Sequence, residues 1–183
     1  MLITIDETVL STDYKIVPIG IATSIASGWK KNDWEVGILM GSFDIVHLLH
    51  WRFFNFAKKH CSKLIVAINS NESVRFIKGV GRPFFDQGNR AQMVASNIEV
   101  DLVIHINIPT NSSAQKEGDL YMAKLITEIN PDIVFSNPIS DYQVEIKKKT
   151  IENLGGQFVL YEEPDHLKKL ISSSKILEKL NSI

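Results

Sequence analysis

The chain has 183 residues, which suits one domain with a substantial core, and its 20 basic and 21 acidic side chains leave a formal net charge of −1. That balance argues against nucleic-acid partners, which favour a basic surface, and the most apolar early stretch is too short and too interrupted by Pro, Gly, Ser and Thr to span a membrane. The single cysteine, Cys61, cannot form an internal disulfide, so a reducing, cytoplasmic setting is expected.

The predicted elements begin with an N-terminal extension, residues 1–33. It is expected to add an edge strand at YKIVPI (14–19) and a helix at ATSIASGWKK (22–31) ahead of the main domain, residues 34–183. Short apolar runs rich in β-branched residues then predict five strands. These strands are predicted at residues 34–40, 63–69, 101–106, 132–136 and 157–161.

Between the strands, apolar side chains recur at helical spacing. The three stripes are Leu49/His50/Phe53/Phe54/Ala57, Met122/Leu125/Ile126/Ile129 and Val144/Ile151/Leu154. Two glycines at 155–156 are expected to end the third helix with a left-handed cap, and residues 172–183 predict a last helix that begins at serines. IKKKT (146–150) is predicted to be a solvated helix face, and the polar stretch 108–119 a loop.

Strand alternating with helix predicts a doubly wound, parallel, five-stranded α/β sheet of the Rossmann-like kind. In such sheets ligands bind beyond the carboxyl ends of the strands, at the point where the strand order reverses. The segments that follow the first and second predicted strands are therefore the places to look for binding residues.

Two histidines three residues apart follow the first of these strands. Gly41 ends the strand, and His47 and His50 fall where a helix is predicted to begin. This spacing puts both rings on one face, beside the backbone N–H groups that make a helix start attractive to anions. The alternative is a packing role for His50 beside Phe53 and Phe54, with His47 as a cap. No second pair of ligands with metal spacing accompanies them, so no protein metal site is predicted.

Basic residues follow the second predicted strand. Lys78, Arg82 and Arg90 lie in a glycine-containing segment, a composition that suits a polyphosphate, although a solvated basic loop is the alternative. Near the C-terminus, ISSSKI (171–176) brings three hydroxyls and Lys175 to another helix start. This is a second potential phosphate site, with ordinary serine capping as the alternative.

Taken in order, these segments resemble a known family. GSFDIVHLLH (41–50) resembles the G-x-F-D-x-x-H-x-G-H signature of the cytidylyltransferase-like nucleotidyltransferases. Residues 64–90 are similar to the run in the adenylyltransferase domain that makes ADP-heptose, including an arginine seven residues after the proline. Residues 155–164 and 171–176 resemble its last strand and its closing motif. The likeness covers about residues 35–183 and implies the HIGH-type nucleotidyltransferase fold.

The resemblance implies a role for each matching position. His47 and His50 would contact the α-phosphate of a nucleoside triphosphate and stabilise its transition state. Lys78 and Arg82 would hold the triphosphate or the acceptor's phosphate, with Lys78 counted among the catalytic groups, and Arg90 would orient the acceptor or its loop. Asp44 would hold the turn. The other implied binding residues are Gly41, Ser42 and Phe43 under the nucleotide, Ser172, Ser173 and Lys175 at its phosphates, and Asp141 near the acceptor.

The activity implied by the resemblance is transfer of AMP from ATP to a heptose-type sugar 1-phosphate, with Mg²⁺ carried by the triphosphate, in a homodimer. Two alternatives stay open: a cytidylyltransferase that uses CTP and glycerol phosphate or an amino-alcohol phosphate, and a nucleotide-binding protein that has lost turnover. The first stays open because the same fold serves both kinds of enzyme. Departures from the family pattern make the nucleotide less certain and keep the second alternative open. Leu49 replaces the signature's glycine, and SNPISDY (136–142) replaces the family's K-G-G-D-Y, of which only the final Asp-Tyr remains.

Overall fold

A computed structural model describes residues 12–107, 114–138, 141, 143–168, 172, 175–177 and 179. The strands are β1 (Val36–Gly41), β2 (Lys63–Asn69), β3 (Leu102–Ile106), β4 (Ile133–Ser136) and β5 (Gln157–Leu160). The helices are α1 (Ile19–Lys30), α2 (Leu48–Lys58), α3 (Asn71–Lys78), α4 (Gln87–Ala95), α5 (Ala114–Ile129), α6 (Val144–Asn153) and α7 (Asp165–Lys168), preceded by a 3₁₀ turn at Asp13–Lys15.

All five strands are parallel, in the order β3-β2-β1-β4-β5. The predicted parallel five-stranded α/β sheet is therefore confirmed. The chain winds outward from β1 to β2 and β3, then crosses back to β4 and β5, so the order reverses between β1 and β4. Ligand crevices in such sheets open at this point, beyond the carboxyl ends of the strands.

β1, β2 and β4 are nearly continuous apolar runs because helices cover both faces of the sheet there, whereas the edge strand β5 is only partly buried. Every side chain in β2 from 64 to 68 is fully buried. On one face β2 packs with residues of α2 and α4, including Phe54 and Val94; on the other it packs with residues of α1 and α5, including Ala22 and Ile126. This burial fixes the sheet, and with it the strand ends that carry the polar residues.

Close packing at β1 depends on a glycine. A Cβ atom at Gly37 would lie 2.6 Å from the Phe135 ring and 2.8 Å from Cys61 Sγ. The Cys61 thiol is buried, and burial raises its pKa to about 11. Any side chain at position 37 would therefore push β1 away from β4 and from the end of α2.

Several local expectations differ from the structure. The predicted edge strand is reduced to an isolated parallel bridge between Ile16 and Val103, followed by the expected helix, α1. The predicted loop 108–119 is wrong from residue 114 onward, where α5 begins; residues 108–113 lie outside the described part. Gly155 takes the expected left-handed conformation, with φ of 81°. None of the helices among the described residues has the length and apolar character needed to cross a membrane.

Candidate functional site

The turn after β1 is built on Phe43. A Cβ atom at Gly41 would lie 2.9 Å from the Phe43 ring, so the glycine makes room for that ring. Phe43 has a positive φ of 45°, which is uncommon for a bulky residue. Its buried ring meets His50 edge to face, with centroids 5.2 Å apart, and packs on Phe54 at 5.3 Å. The turn therefore anchors the His50 ring to the core through Phe43.

The two predicted histidines lie together at the start of α2. His47 is the extended residue before the helix, and its ring stacks on that of His50 with centroids 3.9 Å apart. The backbone N–H of His47 donates a hydrogen bond to His50 Nδ1 at 3.2 Å. Because Nδ1 accepts, a neutral His50 carries its proton on Nε2. The pair can thus offer an N–H donor without carrying a positive charge.

Burial and nearby charge keep both histidine rings neutral. Lys78 contributes to this effect on each ring. Burial, together with the charges of His47 and Lys78, lowers the pKa of His50 to about 3. Burial and the Lys78 charge also lower the pKa of His47. Since Lys78 acts on both rings, the end of α3 lies near the histidine turn. Desolvation and the neighbouring charge of Arg82 lower the pKa of Lys78 itself.

We expect the free energy of unfolding to fall as the pH is lowered from about 6.5 towards 4. An unfolded histidine has a pKa of about 6.5, whereas that of His50 is lowered to about 3, so between these values the unfolded chain binds a proton that the folded chain does not. The contribution of neutral His50 to the free energy of unfolding is complete above pH 6.5. Below that pH it is lost at up to about 1.4 kcal/mol per pH unit. Urea titrations at several pH values measure the slope. His50→Gln should show a shallower slope, and equal slopes would contradict the assignment.

Asp44 holds Arg82 beside the histidine turn. Its carboxylate is fully buried, accepts a hydrogen bond from Arg82 Nε and pairs with the same guanidinium through Nη2. It also accepts from the backbone N–H of Phe84 at 2.6 Å. Asp44 therefore ties the loop after α3 to the turn after β1, which is the structural role expected for it, and places Arg82 next to the histidines.

Arg90 joins the same loops from inside the core. It is fully buried and donates to the carbonyl oxygens of Ser42, Asn69 (2.7 Å) and Phe85 (3.0 Å), and to Asn71 Oδ1 (3.0 Å). The guanidinium is engaged by protein oxygens, so Arg90 positions these loops. Its predicted acceptor- or phosphate-binding role stays a prediction.

Asp141 is also held by partners within the protein. Its carboxylate accepts hydrogen bonds from Lys147 Nζ at 2.7 Å, Ser136 Oγ at 2.5 Å and the Gln143 backbone N–H at 3.0 Å. Burial opposes its charge, but Lys147 and these hydrogen bonds outweigh burial and lower the pKa of Asp141. A carboxylate paired in this way fixes the start of α6, and the predicted place of Asp141 near the acceptor stays a prediction. Lys147 is buried, so the predicted solvated face at 146–150 is wrong at this position.

The closing serines are only partly described. Ser172 Oγ accepts the backbone N–H of Lys175 at 3.2 Å, as a helix-capping serine does. Ser173 lies outside the described residues. The predicted binding of nucleotide phosphates by Ser172, Ser173 and Lys175 stays a prediction.

A separate cavity of about 680 Å³ lies along the outer side of α2. Its lining includes Trp51 and Phe56 from α2, Ile98 from the α4–β3 connection, and Tyr161 after β5. Neither histidine lines it. Trp51, although next to His50 in sequence, therefore faces another surface of the molecule.

The described residues include no group of three or more His, Cys, Asp and Glu side chains able to hold a metal ion. Asp44, the carboxylate beside the histidine turn, is already committed to Arg82 and to the Phe84 N–H. Magnesium usually keeps several waters and takes few protein ligands in phosphate sites. This donor set fits a Mg²⁺ ion that arrives on a triphosphate as part of the substrate.

A parallel sheet whose first strand leads into paired histidines, with cationic side chains brought from the next loop, is the arrangement implied by the resemblance to the nucleotidyltransferases. The family model described as cytidylyltransferase-like matches residues 38–179. The chain belongs to the cytidylyltransferase-like family.

Individual proteins that resemble the chain share less than a third of their aligned residues with it. The bifunctional protein HldE of Caulobacter vibrioides is 31% identical over 172 residues, which cover 93% of this chain and 32% of that protein. The chain thus spans about a third of that relative's length. The crystal structure of a lipopolysaccharide core biosynthesis protein from Thermoplasma volcanium is 25% identical with a TM-score of 0.58, over 72% of this chain and 99% of that one. Pantothenate synthetase from Thermus thermophilus shares the fold at 13% identity and a TM-score of 0.60, over 88% of this chain and 66% of that one.

Proposed function

We propose that the protein transfers AMP from ATP to a heptose-type sugar 1-phosphate and releases pyrophosphate. The observation that carries this proposal is the stacked, neutral His47–His50 pair with Lys78 close by, at the carboxyl end of β1. The sugar class is supported by the similarity of residues 64–90 to the domain that makes ADP-heptose and by the likeness to a lipopolysaccharide core biosynthesis protein.

The proposed chemistry is an in-line displacement at the α-phosphorus. An oxygen of the acceptor's phosphate forms a bond to the α-phosphorus. At the same time the bond between the α-phosphorus and the oxygen of the departing pyrophosphate breaks. Such a step needs positioning and stabilisation of negative charge more than a covalent nucleophile. The Nε2–H of His50 would donate to an α-phosphate oxygen, while Lys78 and Arg82 neutralise phosphate charge. Mg²⁺ would enter as the Mg–triphosphate substrate.

One observation keeps a second candidate open, CTP with glycerol phosphate or an amino-alcohol phosphate. The connection from β4 to α6 lacks the Lys-Gly-Gly of the ADP-heptose enzymes, and its Asp141 is paired with Lys147. The choice of nucleotide therefore does not carry over from the resemblance. Leu49, in the first turn of α2, sits where the family signature has glycine, which keeps a protein without turnover as the third candidate.

A pyrophosphate-release assay separates the three candidates. The chain is incubated with Mg²⁺ and either ATP or CTP, against heptose and hexose 1-phosphates, glycerol 3-phosphate and phosphoethanolamine. Release that requires ATP and a sugar 1-phosphate is the expected result. Release with CTP and an alcohol phosphate would support the second candidate. Nucleotide binding without release from any pair would refute transferase activity.

A cytoplasmic location and a homodimer complete the proposal. The location is supported by the buried free thiol of Cys61 and by the need for nucleoside triphosphates. The dimer rests on the resemblance, and light scattering during gel filtration measures it.

A further inference from the structure

Two residues of the described part of the chain have a buried side-chain atom with neither a hydrogen bond nor an ion pair: His47 at Nδ1 and Asn69 at Oδ1. A third buried atom without a hydrogen bond, Arg82 Nη2, is paired with the Asp44 carboxylate. Buried polar atoms in folded proteins are nearly always paired, so each exception calls for a physical reason. His47 and Arg82 already belong to the site around the histidine turn. Asn69 is not among the site residues predicted from the sequence motifs.

Asn69 is the last residue of β2 and is 8% exposed. The residue before it, Ile68, pairs with Gly41 at the end of β1. The backbone carbonyl oxygen of Asn69 accepts a hydrogen bond from Arg90 Nη2, and the same guanidinium donates to the carbonyl oxygen of Ser42. The Asn69 backbone therefore lies beside the first residues of the histidine turn, at the carboxyl end of the sheet, where ligands bind in such folds. Asn69 also begins the segment that continues through α3 to the loop bearing Arg82.

Arg82 and Asn69 differ in what they can offer a ligand. The Arg82 guanidinium is paired with Asp44 but carries further N–H donors, which suit an anionic oxygen such as that of a phosphate. Asn69 Oδ1 is an acceptor and requires an O–H or N–H group, which an ionised phosphate ester does not supply. A ligand that contacts both residues must combine a phosphate with a hydrogen-bond donor elsewhere in the molecule.

We propose that Asn69 is a specificity-determining residue that accepts a hydrogen bond from a hydroxyl group of the phosphorylated acceptor. The site would thereby select polyhydroxylated phosphate esters over simple ones. Asn69 is assigned to the acceptor, not to the nucleotide, because its segment carries Lys78 and Arg82. The identity of the acceptor rests on the proposed function, whereas the contact itself is tested by binding and not by turnover.

The test compares two ligands on two proteins by calorimetry, with a saturating non-hydrolysable ATP analogue present. Mannose 1-phosphate carries hydroxyls, whereas methyl phosphate has none outside its phosphate. Asn69→Ala should weaken mannose 1-phosphate binding about tenfold, the typical effect of losing one hydrogen bond in a buried site, and change methyl phosphate binding less than about twofold. Binding of the ATP analogue should be unchanged.

Equal weakening of both phosphate esters, no change in either, or weakening of the ATP analogue alone would overturn the proposal. So would a wild-type protein that binds mannose 1-phosphate no better than methyl phosphate. None of these outcomes depends on pyrophosphate release, so failure of the proposed transferase activity would be seen separately.

Two further variants guard against a folding artefact. Asn69→Asp keeps an acceptor oxygen, so it should still prefer mannose 1-phosphate over methyl phosphate even if its charge weakens both. Asn97→Ala is the matched control, because Asn97 is also buried but its Oδ1 accepts the Glu99 backbone N–H at 2.9 Å. It should lower stability and leave the ratio of the two affinities unchanged. Asn69→Ala leaves no protein donor unpaired, so its melting temperature should stay near that of the wild type.

Discussion

Replacing His50 by alanine is expected to lower kcat by about 100- to 1,000-fold, the loss typical of removing one charge-stabilising donor from such a site. The expectation follows from how the ring is held. His47 N–H occupies Nδ1, so the proton lies on Nε2, while the edge of Phe43 and the stacked His47 ring fix the orientation. Alanine removes this donor. Steady-state pyrophosphate release, with kcat and KM determined separately, measures the loss.

Two variants test the assignment to His50 Nε2. His50→Gln places an amide N–H donor on a side chain of similar reach, so it should retain more activity than His50→Ala. His60→Ala is the control, because His60 lies just past the other end of α2, where its Nδ1 is 2.8 Å from the Phe56 carbonyl oxygen. It should leave turnover near the wild-type level. Near-normal turnover by a folded His50→Ala protein would remove this imidazole from the mechanism.

The largest effect on stability is expected for Arg90→Met, which should lower the free energy of unfolding by about 3–5 kcal/mol, the cost of disrupting a buried charged hydrogen-bond network. Three backbone carbonyls would lose their donor, that of Asn69 in a buried position and those of Ser42 and Phe85 in partly buried ones. Urea unfolding measures the change, which should appear as a lower midpoint with an unchanged denaturant slope.

A neighbouring arginine provides the comparison. Arg75 is exposed on α3, and Arg75→Met should change the free energy of unfolding by less than about 0.5 kcal/mol, as is usual for surface positions. Arg90→Lys keeps the charge but lacks the planar fork that reaches several oxygens at once, so it should rescue little. Similar stabilities for Arg90→Met and Arg75→Met would show that the carbonyls find other partners.

The sheet could be predicted from the sequence because its inner strands β1, β2 and β4 are covered on both faces. Burial on both sides leaves no polar position within β2 from 64 to 68, and the resulting apolar run marks the strand without any periodicity. The histidine pair could be predicted for a local reason. A spacing of three at a helix start puts two rings together whatever surrounds them.

Tertiary contacts explain what the sequence did not show. Lys147 stands in a row of three lysines, and only the packing of α6 against the end of β4 buries this one beside Asp141. Arg90 matches a motif position by its interval, but its burial depends on three loops meeting around it. Asn69 resembles any polar residue that ends a strand until its unpaired oxygen is located.

The burial of Cys61 has a practical consequence for spectroscopy. Thiolate is the form that reacts with maleimides and similar reagents, and a shielded thiol with a pKa of about 11 supplies almost none of it. Fluorophores or spin labels can therefore be directed to an introduced cysteine without first removing the native one. Val80, fully exposed between Lys78 and Arg82, is a suitable attachment point for following that loop as nucleotide arrives.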